Sequence, residues 1–279
     1  MAYQKYLTIG VIALSLLFNA CHSDKGNSAN FQVNNDSTAI NKKVSVIISS
    51  IPFPIDILDT LHDLNMQFHG NLLNPVANAI LYSESNAQAI NLGLYGADLA
   101  YVISFEQFQN VGDYMKVSKF LADNLGIPLA FTAQVIARCE KNQNNKDSLS
   151  HIVLQAYTQI DQTLKQAERN SSEVLVLTGG WLEGIYFTTE SVMTMPDGRD
   201  KQRVLHILIG QKQYADKLIS LLNQVSRSCT YCQDVATRMQ ELGLILDEIK
   251  SEADFTDQKV KAIADKVNLI RALVVKGNT

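Results

Sequence analysis

From residue 42 onward the apolar positions recur mostly at helical spacing. Leu149, Ile152, Val153, Ala156, Tyr157, Ile160, Leu164 and Ala167 form one stripe behind Ser148, which is placed to cap it. Val204, Leu208, Ala215, Leu218, Leu222 and Val225 form a second, behind Asp200, and Val235, Met239, Leu242, Ile245, Leu246 and Ile249 a third. The last stripe is Val260, Ile263, Val267, Ile270 and Val274, with Thr256 as N-cap and Phe255 and Val260 placed as a hydrophobic staple. Val174 to Met195 is instead apolar almost all round, the mark of a helix buried on every side. Ala87 to Asn110 reads as one long or broken helix. Pro54 suits the first turn of a helix through Asn65, and Asn74-Pro75 is a second cap-plus-Pro start. Asp113 is placed to cap a helix to Leu125, Gly126 and Pro128 supply its stop, and Pro128 begins another. Val44 to Ile48 fits a short strand or an apolar entry to the core. The pattern predicts an all-α chain of about eight to ten helices, as a multi-helix bundle or a short solenoid-like array. A faint echo, Tyr114 before Leu125-Gly126 and Tyr231 before Leu242-Gly243, matches no known repeat period.

The first residues follow another logic. Lys5 precedes an uncharged, mostly apolar run from Leu7 to Phe18. A membrane span needs about 20 such residues, so this run fits the apolar region of a secretory signal. Phe18-Asn19-Ala20-Cys21 resembles a bacterial lipobox, in which cleavage before the Cys leaves it to carry lipid; Phe18 and Asn19 depart from the usual residues. The alternative is an ordinary secretory signal with an incidental Cys. His22 to Asn41, rich in Ser, Asn, Asp and Lys, is too polar to fold and reads as a tether of about 25 Å mean span. The expected division is a signal peptide over 1–20, lipid-bearing Cys21 and tether over 21–41, and one helical domain over 42–279. The lipid bilayer, through Cys21, is then a partner, and no other segment is apolar and long enough to cross it.

Composition narrows the picture further. Lys and Arg number 24 against 28 Asp and Glu, a formal charge of −4, and removal of Lys5 with the signal makes it −5. A broad basic surface is excluded, and nucleic acid with it. The 5 Pro stand at 52, 54, 75, 128 and 196, and the long Pro-free stretches suit helices.

Candidate chemistry is sparse. Asp98 sits inside the apolar run Asn91 to Tyr101, where a carboxylate must find partners or stay protonated. It is either a buried acid at a binding site, with Tyr95 and Tyr101 beside it, or a structural hydrogen-bond hub. Thr178-Gly179-Gly180-Trp181-Leu182-Glu183-Gly184 carries three glycines in six residues. Close helix packing explains them, and so does room for a ligand beside Trp181. Glu183 can face Asp98, and two such carboxyls can act as acid and base or hold a metal, although no Glu-x-x-His is present. Asp56, Asp59, His62, Asp63 and His69 make a metal site conceivable and a solvated helix face the simpler reading. His151 and His206 fall on apolar stripes and read as core histidines. Cys229-Thr230-Tyr231-Cys232 at a helix start suits a local disulfide, with redox catalysis the alternative, and Cys139 reads as buried. There is no His-Glu-x-x-His, P-loop, dinucleotide fingerprint or nucleophile elbow, so no cofactor is expected.

Ser49 to Leu58 (SSIPFPIDIL), Asn91 to Gln109 with Tyr114 to Ile127, and Gly179 to Glu190 (GGWLEGIYFTTE) resemble a family of uncharacterised helical lipoproteins of Bacteroidota. The resemblance implies an envelope location and an all-α fold, and supplies no catalytic residues. The expectation is a lipid-anchored outer-membrane protein, on the periplasmic or the surface face, whose helical domain binds a partner protein or small ligand. The alternatives are an envelope enzyme using Asp98 and Glu183, with or without a metal, and a structural envelope component.

Overall fold

The computed structural model describes residues 50–277. The signal, Cys21, the tether and the apolar stretch 44–48 lie outside them. The described residues form nine α-helices and no strand. They are α1 (Ile55–Asp63), α2 (Ser85–Ser104), α3 (Phe108–Asn124), α4 (Ala133–Lys141), α5 (Lys146–Gln166), α6 (Asn170–Thr194), α7 (Arg199–Val225), α8 (Thr230–Asp247) and α9 (Asp257–Lys276). Short 3₁₀ turns, Val76–Leu81 and Pro128–Phe131 among them, connect them. The all-α architecture read from periodicity is therefore the observed one. No helix among the described residues is long and apolar enough to cross a membrane.

α2 and α6 form the centre, packed along each other. Every residue of α2 from Ala87 to Ser104 is buried, and α6 is buried over nearly all its length. Such helices must satisfy their polar side chains internally. Thr178, Thr188 and Thr189 donate to carbonyls one turn back, at 2.6–3.0 Å. Asn91 donates to Ala87 O and to Val274 O, tying α2 to α9. The amphipathic helices surround this pair, with α1, α3 and α5 against α2 and α7 and α9 against α6. α8 packs between α7 and α9.

The α6 glycines serve that central contact. A Cβ on Gly179 would stand 1.9 Å from Ile90 O, and one on Gly93 would stand 1.9 Å from Val176 O. The two backbones touch where neither helix has a side chain. Gly184 is likewise closed by Pro54, whose Cβ would lie 2.7 Å away.

Several predicted boundaries need correction. The stretch 87–110, read as one long or broken helix, is broken: the helix stops at Ser104 and another starts at Phe108, because Glu106 takes a left-handed conformation (φ 54°) and Gln107 N–H bonds back to Val102 O. Asp113 therefore lies inside α3, not at its start. Asn74-Pro75 opens only a 3₁₀ turn, Pro128 does the same, and Asn145, not Ser148, caps α5. Gly198, not Asp200, is the N-cap of α7, and Thr256 caps α9 as read. The Tyr-Leu-Gly echo has no structural counterpart, since Leu125 ends α3 whereas Leu242 is interior to α8.

Candidate functional site

Two pairs of buried carboxyls occupy contrasting surroundings. Asp98, in the middle of α2, and Glu183, in the middle of α6, meet across the central contact, both fully buried. Arg271 of α9 closes the cluster. Its Nε donates to Glu183 Oε2 at 2.7 Å and its Nη2 to Oε1 at 2.6 Å, a bidentate pair. Nη2 also donates to Leu72 O at 2.7 Å, and the guanidinium lies 4.1 Å from the Tyr186 ring centroid. Asp98 Oδ1 accepts the Asn74 N–H at 3.4 Å, and no donor reaches Oδ2.

Burial, and then the Glu183 charge, push the Asp98 carboxyl well above its ordinary range, against Arg271 and the Asn74 N–H. Burial raises Glu183 too, with Arg271 opposing. Burial alone pulls the Arg271 guanidinium down, and the Glu183 charge overcomes it. Charge balance favours a charged Arg271–Glu183 pair beside an Asp98 driven toward its neutral form. Three groups then carry no net charge, which is what an interior tolerates.

Around this cluster the tyrosines are committed to backbone. Tyr95 donates to Pro75 O at 2.8 Å, Tyr114 donates to Asn74 O at 3.1 Å, and Tyr101 accepts the His69 N–H at 3.0 Å. Together they pin the segment 69–75 over the triad. Tyr95, Asp98, Tyr101 and Glu183 are thus brought together as the sequence suggested, but bonded to the protein itself. Asp98 and Glu183 line neither the apolar cavity described next nor four shallower surface pockets.

Trp181, the fifth candidate, faces elsewhere. It is 5% exposed, its indole N–H donates to Gln211 at 3.1 Å, and it lines a cavity of about 300 Å³. The walls come from four places: Ile51 to Pro54 before α1, Gly93 of α2, Tyr157 and Leu164 of α5, and Val176, Gly180 and Trp181 of α6. The Tyr157 hydroxyl is turned away to Leu92 O at 2.7 Å, and its ring lies tilted against Phe53, with centroids 5.1 Å apart. Gly180 adds a flat wall, where even an added Cβ would stand 3.5 Å from Gly93 O.

The second carboxyl pair lines this cavity. Glu173, in the first turn of α6, is 3% exposed, and Asp161 of α5 is half-buried. No donor reaches Glu173 Oε1 or Asp161 Oδ1. Burial, then the facing Asp161, push Glu173 to about 8, with Lys165 opposing. Sequence reasoning missed both residues. Asp161 sits among polar neighbours on an amphipathic helix, and an acid in a first helical turn is ordinary. The available signal was that Glu173 directly precedes an all-round apolar run.

The remaining candidates are placed plainly. α1 ends at Asp63, so His62 and His69 do not share a helix face, and no metal-holding group of His, Cys, Asp or Glu exists among the described residues. Asp59 pairs with Lys146 at 2.9 Å. His151 and His206, expected in the core, are both exposed; their stripes are wide enough that each falls on the polar edge, and His206 meets Glu252 at 2.8 Å. Cys229 and Cys232 are joined by a disulfide at the start of α8, where Cys229 Sγ also accepts the Cys232 N–H. Cys139 is free and buried, and burial raises its thiol to about 11. No protein-family model, curated protein or solved structure matches the chain.

Proposed function

We propose that this chain is a lipid-anchored outer-membrane protein of the bacterial envelope whose helical domain binds a small, largely apolar ligand in the cleft beside Trp181. The observation that carries the binding reading is the cavity of about 300 Å³ with apolar walls from α2, α5, α6 and the segment 51–54. Small-molecule sites begin at about this size and have this make-up, apolar walls with a few convergent polar groups. The lipobox-like stretch ending in Cys21, the polar tether and the resemblance to helical Bacteroidota lipoproteins support the anchor and the location. A small ligand is favoured over a protein partner because the most exposed apolar side chains, Ile80, Leu129 and Leu244, stand on separate elements. Acid–base catalysis by Asp98 and Glu183 is disfavoured, since Arg271 holds both Glu183 oxygens and neither acid lines a cavity.

Trp181 is the sole tryptophan and lines the site, so it reports occupancy directly. Titration with the neutral apolar probe phenylnaphthylamine is expected to give saturable one-to-one quenching of Trp181 by energy transfer. Thr158, exposed at the cavity rim, bonds only to Leu154 O of its own helix, so Thr158→Phe occludes the cleft without disturbing the core. That variant is expected to lose probe binding at unchanged thermal stability. Absence of saturable binding to the unaltered protein would overturn the reading.

A further inference from the structure

We propose that the ligand of the Trp181 cleft is an organic cation, an ammonium group held between Asp161 and Glu173 with its apolar body lying against Phe53 and Trp181. This rests on the cleft being a binding site. It adds the chemical class of what binds there.

Three observations converge. Glu173 is 3% exposed and lines the cavity, yet its Oε1 accepts from no donor. Asp161 lines the same cavity and its Oδ1 is equally buried and unpartnered. The rest of the lining is apolar apart from the rim Thr158 and the inward-committed Tyr157. Two acceptor oxygens without a donor, on one side of an apolar cleft, form the complement of an ammonium with a hydrocarbon or aromatic body. The contrast with the central triad is informative. There the protein supplies its own cation, Arg271, to two facing carboxyls. Here it supplies none in contact.

The charges around Glu173 can be accounted for on every side. On α5 are Asp161 and Lys165, and Lys165 is exposed and acts only through space. At the start of α6, Arg169 is turned to Leu125 O and to Ser172. The segment 51–54 and Gly93 contribute no charge. Without a cation Glu173 keeps a proton of its own, since burial and the facing Asp161 push its carboxyl up to about 8. Binding an ammonium at neutral pH therefore expels that proton to the buffer. The sign follows: raising the pH removes the competing proton and strengthens cation binding, while a neutral ligand is indifferent.

The test compares phenylethylamine, which stays an ammonium throughout, with phenylethanol, each displacing phenylnaphthylamine from the full chain between about pH 6 and about pH 9. The amine is expected to bind at least about tenfold more tightly at neutral pH, as a charge-assisted contact in a desolvated site should. Its advantage should grow with pH, with proton release seen by calorimetry in buffers of different ionisation enthalpy. Glu173→Gln and, at a half-buried position, Asp161→Asn are each expected to bring the amine down to the alcohol, so a folding failure of one leaves the other to decide. Equal binding of amine and alcohol to the unaltered protein overturns the cation class and leaves the cleft standing as a site. Failure of amine, alcohol and probe alike overturns the cleft itself.

Discussion

Asp98 is driven toward its neutral form because burial and the Glu183 charge outweigh the one nearby cation, Arg271. This makes the triad's members unequal. Arg271→Met strands Glu183 in the interior without a partner, and breaking a buried pair this way costs about 3–5 kcal/mol. Asp98→Asn keeps the shape and an N–H to offer Glu183, and should change stability by less than about 1 kcal/mol. Urea unfolding of the two variants tests this ranking; equal losses would contradict it. The pH dependence follows from the same placement. The folded-state affinity of Asp98 for its proton is raised above the ordinary 3.8, so its contribution is complete below that pH and is lost as pH rises through the folded value. Asp98→Asn removes that loss. Asp98 and Glu183 were conspicuous in the sequence, as charges inside apolar runs. Arg271 was not, because on an amphipathic helix an arginine beside Ile270 looks like any surface residue. Only the fold shows that it reaches a carboxylate 88 positions away. Asp161 and Glu173 were illegible for the same reason: each is ordinary in its own helix and unusual only in what it faces.

The elements themselves were the most legible level, since their stripes carry the periodicity directly. Their ends were less so. Glycine is the expected left-handed terminator, and Gly126 serves after α3. After α1, α2 and α5 the left-handed position is held by Asn65, Glu106 and Glu168 instead. A glutamate gives no stop signal, so the break between α2 and α3 could be suspected but not placed. The glycines inside helices separate by a single contact. Gly93→Ala drives a methyl into the carbonyl of Val176, a backbone atom with nowhere to go, and is expected to cost about 3 kcal/mol or more. Gly112 of α3 has nothing within 4 Å of its added Cβ, so Gly112→Ala should gain about 0.5–1 kcal/mol from helix propensity. Thermal melts of both variants measure the contrast, and a tolerated Gly93→Ala would mean that the two central helices do not touch as described.

At the scale of the whole molecule, the attachment proposed for Cys21 is separable from the domain that follows. Cys21→Ser should move the full chain from the membrane pellet to the soluble fraction with the melting temperature unchanged. Continued membrane association of that variant would refute the lipid anchor. Fractionation with and without the substitution is sufficient, because no described helix offers an alternative span. The modest negative charge fits this separation, as it gives the domain no electrostatic hold on an anionic membrane surface.

Arg271 lies in the last helix and joins Glu183, 88 positions earlier, to Leu72 O, 199 positions earlier. This has a consequence in time as well as in space. A growing chain that has reached α8 contains both central carboxyls but not the cation that neutralises them. Closing the α2–α6 centre before α9 has been made leaves Glu183 without its cation or forces it to take up a proton, so closure is more favourable once Arg271 is present. Long-range closure of this kind is slow to nucleate, and here it is favoured only after α9 has been added.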